Sequence, residues 1–177
     1  CEFTLSFNPR VVTAHAPDDM DPDTLEHLLV DQVLPRYLSH EGGLLLHASA
    51  VVLDGAACLF LGKSGWGKST LAGLLHRQGH PLLSDDCVML RHHPDRVTVL
   101  PTYPSLRLYE DTIQHAVEGT PGTRPVASYT DKRRVDILPG DPAQPTLLGG
   151  LYLLSDPLES GDDIRISAMG PAESCMS

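Results

Sequence analysis

The sequence predicts a mixed α/β domain built around one strand–loop–helix unit, with antiparallel hairpins beside it. Three observations carry this reading. The apolar run Ala56 to Leu61 is followed at once by the glycine-rich stretch Gly62 to Ser69, then by leucines at helical spacing. Short apolar segments flank tight-turn residues, as at Asp54-Gly55. The chain has 177 residues, 41% of them hydrophobic, which suits one domain able to close a core without disulfides or metal.

Glu2 to Phe7 alternates polar and apolar residues, the period of a half-buried strand. A loop rich in Asp and Pro is expected next. Asp21-Pro22-Asp23 reads as a helix start: a cap residue, Pro in the first turn, then an acid favoured by the helix dipole. Leu25, Leu28, Leu29, Val33 and Leu34 repeat at helical spacing; Pro35 kinks or divides the helix, and Gly42-Gly43 ends it. Leu44 to Leu53 reads as one strand, Asp54-Gly55 as a hairpin turn, and Ala56 to Leu61 as a strand buried on both faces. A helix over Ser69 to Gln78 turns Leu71, Leu74 and Leu75 inward and stops at Gly79. Leu82-Leu83 opens a short strand ending at Asp85-Asp86, and Val88 to Arg91 forms a hairpin with Val97 to Leu100. Beyond Pro101 the pattern gives a helix at Glu110 to Val117, a mobile loop at Gly119 to Ser128, and strands at Lys132 to Leu138, Leu147 to Leu154 and Ile164 to Ile166. The single domain divides into an N-terminal strand and helix (1–43), a nucleotide-binding core (44–91) and an acceptor and C-terminal part (92–177).

Lys and Arg number 13 against 23 Asp and Glu, a net charge of −10. That argues against a nucleic-acid or anionic-membrane binder, which needs a basic face. Residues 62–134 carry +3, against −7 before them and −6 after, so an anionic ligand belongs in the middle third. No apolar run reaches the ~18 residues of a membrane span. The start at Cys1 lacks a Met and the features of a signal peptide, as in a trimmed chain. Cys1, Cys58, Cys87 and Cys175 form no CxxC pair and read as reduced thiols of a cytoplasmic protein.

Gly62-Lys63-Ser64-Gly65-Trp66-Gly67-Lys68-Ser69 matches G-x-x-x-x-G-K-[ST] in full, with a buried strand before it and an amphipathic helix after it. Glycines let successive N–H groups turn toward a phosphate chain, and the helix N-terminus adds open donors. Lys68 can reach the β- and γ-phosphates and the Ser69 hydroxyl can bind Mg²⁺. The nucleotide-binding set is therefore Gly62, Lys63, Ser64, Gly65, Trp66, Gly67, Lys68, Ser69 and Thr70. The Trp66 side chain should project away from the phosphates, as a partly exposed cover. Asp85-Asp86 follows Ser69 by one helix and one strand, which returns the chain to the same sheet edge. Adjacent carboxylates on a strand point opposite ways. One could face a metal and the other an acceptor hydroxyl, unless the pair only shapes a turn. His47, alone in the apolar stretch Leu46 to Ala50, is by residue physics a core histidine as readily as a functional one.

The stretch Leu46 to Val51, the loop Gly62 to Ser69, and Gly79-His80-Pro81-Leu82-Leu83-Ser84-Asp85-Asp86 together resemble the catalytic domain of the HPr kinase/phosphorylase family. They are more similar still to its short members, some encoded in lasso-peptide biosynthesis clusters. The resemblance implies the P-loop kinase core of that family's C-terminal domain: a central mixed sheet with flanking helices and hairpins, acting as an ATP- and Mg²⁺-dependent serine kinase on a protein or peptide. By the same resemblance His47 lies near the γ-phosphate, Lys68 binds phosphate, Ser69 and Asp85 serve the metal, and Asp86 is the general base. The family forms ring-like oligomers, so a homo-oligomer is expected.

The match has gaps. Where the family places a Glu metal ligand, this chain reads Tyr103-Pro104-Ser105-Leu106-Arg107-Leu108-Tyr109, with no acid before Glu110. The later arginine tied to phosphorolysis has no clean counterpart; Lys132-Arg133-Arg134 is the nearest basic cluster, with Arg133 a candidate catalytic residue. Arg107, Arg133 or Arg134 could stabilise the transferring group, and each could equally be a solvated strand residue. The family's long helical C-terminus is missing, so the sequence reads as truncated there. Two other readings remain: a nucleotide-binding regulatory module without efficient transfer, and a small-molecule kinase.

Overall fold

The structure is a computed structural model describing residues 1–102, 105–117, 122–137, 144–156 and 164–170. β1 (Glu2–Phe7) pairs with β2 (Arg10–His15) as an antiparallel hairpin. A loop was expected where β2 lies. The strand has almost no buried face, so it carries no alternation to read and is held mainly by its ladder to β1.

Asp21 caps α1 (Pro22–His27), its carboxylate accepting the Thr24 N–H at 2.9 Å. The helical path continues through a π-helical turn, Leu28–Val33, into α2 (Leu34–His40). Pro35 explains the division. It has no N–H to return to Asp31, and its ring would crowd that carbonyl in an α-helix. The wider turn, in which the Leu34 N–H bonds to Leu29 O, relieves both problems. The path ends in a Schellman cap: Gly42, at φ +87°, donates to Ser39 O at 3.1 Å, and Gly43 donates to Leu38 O at 2.8 Å.

The single strand expected over Leu44 to Leu53 is two strands. β3 (Leu44–Leu46) and β4 (Ala48–Leu53) meet at His47, where the chain changes sheet partners. The type I′-like turn Asp54-Gly55, with φ of +50° and +79°, leads to β5 (Ala56–Leu61). Then come α3 (Lys68–Arg77), β6 (Leu82–Ser84), β7 (Val88–His92) and β8 (Val97–Leu100). α3 buries Ala72 and Gly73, with Leu71 and Leu75 half-buried against the core; Leu74, expected inside, is 39% exposed. Small residues face inward because α3 lies close on its neighbours. A Cβ at Gly73 would stand 3.0 Å from Ala116 Cβ and 3.1 Å from Ala116 O. Gly73→Val is therefore expected to cost about 1–3 kcal/mol by overpacking, read as a lower urea midpoint at unchanged slope.

The rest comprises β9 (Ser105–Leu108), α4 (Glu110–Ala116), β10 (Thr123–Pro125), β11 (Arg133–Asp136) and β12 (Thr146–Leu153). β9 was not foreseen, and β10 replaces part of the expected loop; positions 119–121 of that loop lie outside the described residues. Ser128 is tied to Thr24, whose hydroxyl accepts its N–H at 2.8 Å. Ile164 and Ile166 form no strand and are 94% and 81% exposed, because no partner strand adjoins them among the described residues.

Among the described residues the main sheet runs β3-β7-β8-β12-β5-β4-β6, mixed because β12 is parallel to β5 while the other pairs are antiparallel. A second sheet runs β10-β11-β9. One core packs Val51, Cys58, Phe60 and Leu82 against Ala72 of α3, Ile113 and Ala116 of α4, and Leu106, Leu108 and Val135 of the second sheet. The other core, Ala50, Leu59, Leu83, Val88, Leu90 and Val99, fills the opposite face. β4 lies between β5 and β6 and is antiparallel to both. β5 and β6 therefore run the same way, and the Gly62 loop and Asp85 emerge at one edge. No described helix is long and apolar enough to cross a membrane. Cys1, Cys58 and Cys87 are free thiols, and Cys175 lies outside the described residues.

Candidate active site

The loop after β5 turns through three glycines at positive φ: Gly62 at +144°, Gly65 and Gly67 at +88° each. Nothing lies within 4 Å of where a Cβ would stand on Gly65 or Gly67, so the loop opens onto free space. Gly67 precedes α3 without a side-chain cap, which leaves the first N–H groups of the helix available to a ligand. An open cleft of about 190 Å³ lies in front, lined by Ser64, Gly65, Gly67, Lys68, Ser69 and Thr70 on one side. His47, Asp86, Arg107, Tyr109, Thr112 and Lys132 line the other side.

Gly62, Lys63 and Trp66, named with the loop from sequence, stand outside this lining. Trp66 packs over Gly62, where a Cβ would come within 3.0 Å of its ring, and carries the Lys63 ammonium 5.3 Å from its centroid. It does not line the cleft. The Lys68 ammonium is buried and donates to Gly62 O at 2.8 Å and Lys63 O at 3.1 Å. Burial lowers its pKa, against the pull of Asp86.

The paired carboxylates point opposite ways. Asp85, 2% exposed, turns inward and accepts from Ser49 Oγ at 2.5 Å, Ser69 Oγ at 2.9 Å and the Arg107 N–H at 3.0 Å. Burial raises its pKa, and these donors and the Arg107 charge work against that rise. Asp86 turns outward because its backbone is left-handed, at φ +74°, a conformation Asp tolerates better than most residues. His47, freed from the sheet by the break between β3 and β4, meets it. Nδ1 lies 2.9 Å from Asp86 O and 3.0 Å from Asp86 Oδ1. Both partners are acceptors, so Nδ1 carries the proton. Burial pushes the Asp86 carboxyl up, but the His47 hydrogen bond and the charges of Arg107, His47 and Lys132 outweigh it and bring the pKa to about 2. The hydrogen bond to Asp86 in turn raises His47 above its ordinary 6.5, burial opposing.

Known proteins resemble the chain over part of its length. No protein-family model matches the chain. The HPr kinase/phosphorylases of Bacillus licheniformis and Bacillus subtilis are each 38% identical to it over 73 residues, 41% of this chain. That of Chlorobium chlorochromatii is 41% identical over 54 residues, 30% of this chain and 16% of the relative. Over those residues the chain is similar to HPr kinase/phosphorylases. It spans about a fifth of the length of the two Bacillus relatives, 21%. A solved structure, the Hpr(Ser) kinase/phosphatase from Coxiella burnetii, is 17% identical with a TM-score of 0.41, covering 68% of this chain and 71% of that one.

The structure brings together His47, Lys68, Ser69, Asp85 and Asp86, all named from sequence. It does not bring Arg133. That guanidinium lies beside Thr123, 3.4 Å from its carbonyl, and 3.8 Å from the exposed Glu110. Neither Arg133 nor Glu110 lines the cleft. Arg133 alternates with its neighbours on β11, so it faces away where Lys132, just before the strand, faces in. Arg107 is the arginine at the cleft. It is 5% exposed, its Nη1 donates to Asp85 O at 3.1 Å, and its Nε lies 3.9 Å from Asp86 Oδ2. Its signal in the sequence was a lone cation between Leu106 and Leu108. Ser49, which holds Asp85, carried no signal beyond being a hydroxyl in a buried strand.

The donor set suits a nucleotide phosphate chain with Mg²⁺. A Mg²⁺ ion takes few protein ligands and completes its shell with phosphate oxygens and water. Ser69 with Asp85 behind it could supply such ligands, while the loop N–H groups and Lys68 could hold phosphate.

Proposed function

We propose that the chain is an ATP- and Mg²⁺-dependent kinase that transfers a phosphoryl group to a serine hydroxyl of a protein or peptide, a ribosomally made precursor peptide among them. A cytoplasmic location, where ATP is made available, fits this reading. The observation that supports it best is the division of labour at Asp85-Asp86. One carboxylate is buried on the Ser69 hydroxyl, and the other is exposed to the cleft and paired with His47. A regulatory nucleotide module needs only the first of these.

Bound ATP and Mg²⁺ would supply the electrophilic phosphoryl group and neutralise charge on the oxygens around it. The chain's own residues do the rest. The loop N–H groups and Lys68 hold phosphate oxygens. Asp85 orients the Ser69 hydroxyl so that its oxygen lone pairs face the metal position. Asp86 Oδ2 is ionised at any physiological pH and receives the acceptor proton. His47 shares that charge through Nδ1, and Arg107 sets a fixed cation beside the transferring group in the place earlier given to Arg133.

The test incubates the chain with γ-labelled ATP, Mg²⁺ and serine-bearing peptides. Label on serine, absent with Lys68→Ala, is the expected result; tight nucleotide binding without transfer to any acceptor overturns the reading. The rate should also depend on pH. Protonated His47 holds Asp86 most strongly, so transfer rises as pH passes the His47 pKa, at a midpoint above 6.5. His47→Gln should flatten that limb of the profile.

A further inference from the structure

We infer that Asp31, on the π-helical turn between α1 and α2, is a positioning residue that fixes the Arg107 guanidinium at the cleft; its part in catalysis rests on the kinase reading above. Asp31 is far from the loop in sequence and its side chain is 2% exposed. One of its oxygens forms an ion pair with Arg107 Nη2. The other takes His27 Nδ1 at 2.6 Å and lies 3.7 Å from Arg134 Nη2. The Arg107 fork is thus assigned edge by edge: Nη2 to Asp31, Nη1 to the Asp85 carbonyl, Nε toward Asp86.

Stability alone does not account for this arrangement. A buried ion pair costs desolvation that apolar side chains of the same size avoid. What the pair gives is orientation: a planar, always-charged group held on several sides cannot turn away from the cleft or collapse onto Asp86. The backbone is shaped for it. The π-turn shifts the helix face where Asp31 stands, and such turns recur at functional sites. The turn exists because of Pro35, so Pro35 and Asp31 serve one end. Glu26, five residues earlier, forms its ion pairs with Arg134 and Arg124.

The experiment compares Asp31→Asn, Asp31→Glu and Glu26→Gln in the whole chain. Asp31→Glu keeps the charge and so guards against a simple failure to fold. Two readouts are taken: the kcat and ATP KM of transfer, and the Arg107 side-chain N–H resonance in ¹⁵N-arginine-labelled protein. Both Asp31 variants are expected to lose about 10–100-fold in kcat, with ATP KM little changed and the Arg107 resonance broadened. Glu26→Gln should lower Tm and leave kcat and that resonance as they are. An unchanged Arg107 resonance in Asp31→Asn, or an equal kcat loss in Glu26→Gln, overturns the inference. If the unaltered chain transfers no label, the kinase reading fails by itself, and the resonance still decides whether Asp31 positions Arg107.

Discussion

Asp86→Asn is expected to lower phosphoryl transfer by about 10²–10⁴-fold, the usual worth of a positioned general base, while nucleotide affinity stays close to that of the unaltered chain. Asn is the informative replacement. It is isosteric, and with Asp it is the non-glycine residue most at ease in left-handed backbone, so the φ of +74° is retained. Its carbonyl oxygen can still accept from His47 Nδ1. What is lost is the negative charge and the site for the acceptor proton. The hydrogen bond that chiefly raises the His47 pKa then ends on a neutral acceptor and the attraction of the Asp86 charge is gone, so imidazole titration should move back toward 6.5. Single-turnover transfer with saturating nucleotide isolates the effect. Lys68→Ala provides the contrast, because it removes a phosphate contact and should weaken nucleotide binding as well as transfer. A transfer rate within tenfold of the original in Asp86→Asn would move the base to another group, with His47 Nε2 the nearest candidate.

The parts of this site that the sequence disclosed are those in which chemistry and backbone geometry coincide. Gly65 and Gly67 are glycines because the loop needs positive φ there, and Lys68 and Ser69 follow at fixed offsets, so a pattern could find them. Asp85 and Asp86 were placed by topology: one helix and one strand return the chain to the loop. His47 was visible as a residue but its setting was not. A single apolar run from Leu44 to Leu53 hides the change of sheet partner, which depends on β7 arriving from far along the chain. Arg133 was preferred to Arg107 because a cluster of three basic residues stands out and a single one between leucines does not. Which of them faces the cleft is set by the pairing of β11 with β9, a long-range register that local periodicity cannot supply. β2 and β10 were missed for a related reason, since neither has a strongly buried face to print alternation on the sequence.

Arg107→Met carries the largest expected effect on stability, about 3–5 kcal/mol at neutral pH, the cost of breaking a buried ionic network by deleting one partner. Met keeps the length of the aliphatic stem and the backbone N–H that Asp85 accepts, so the loss isolates the guanidinium. Asp31, Asp85 and Asp86 are left facing one another with less positive charge among them. The pH dependence separates this from a packing defect. In the unaltered chain Asp86 is depressed from 3.8 to about 2, so its contribution is present above pH 3.8 and is lost as pH falls toward 2. Without Arg107 that depression shrinks. Asp85, already raised by burial, rises further and is destabilising when ionised; protonation relieves it as pH falls. The stability gap between Arg107→Met and the unaltered chain should therefore narrow from pH 7 to pH 5 in urea unfolding. A gap of the same size at both pH values would mean that only packing was lost. Adding Asp31→Leu to Arg107→Met should restore part of the loss, because removing both partners of a buried pair costs less than removing one. That double variant would be more stable than Arg107→Met alone and still defective in transfer, which is the behaviour of a charge network kept for orientation at the expense of stability.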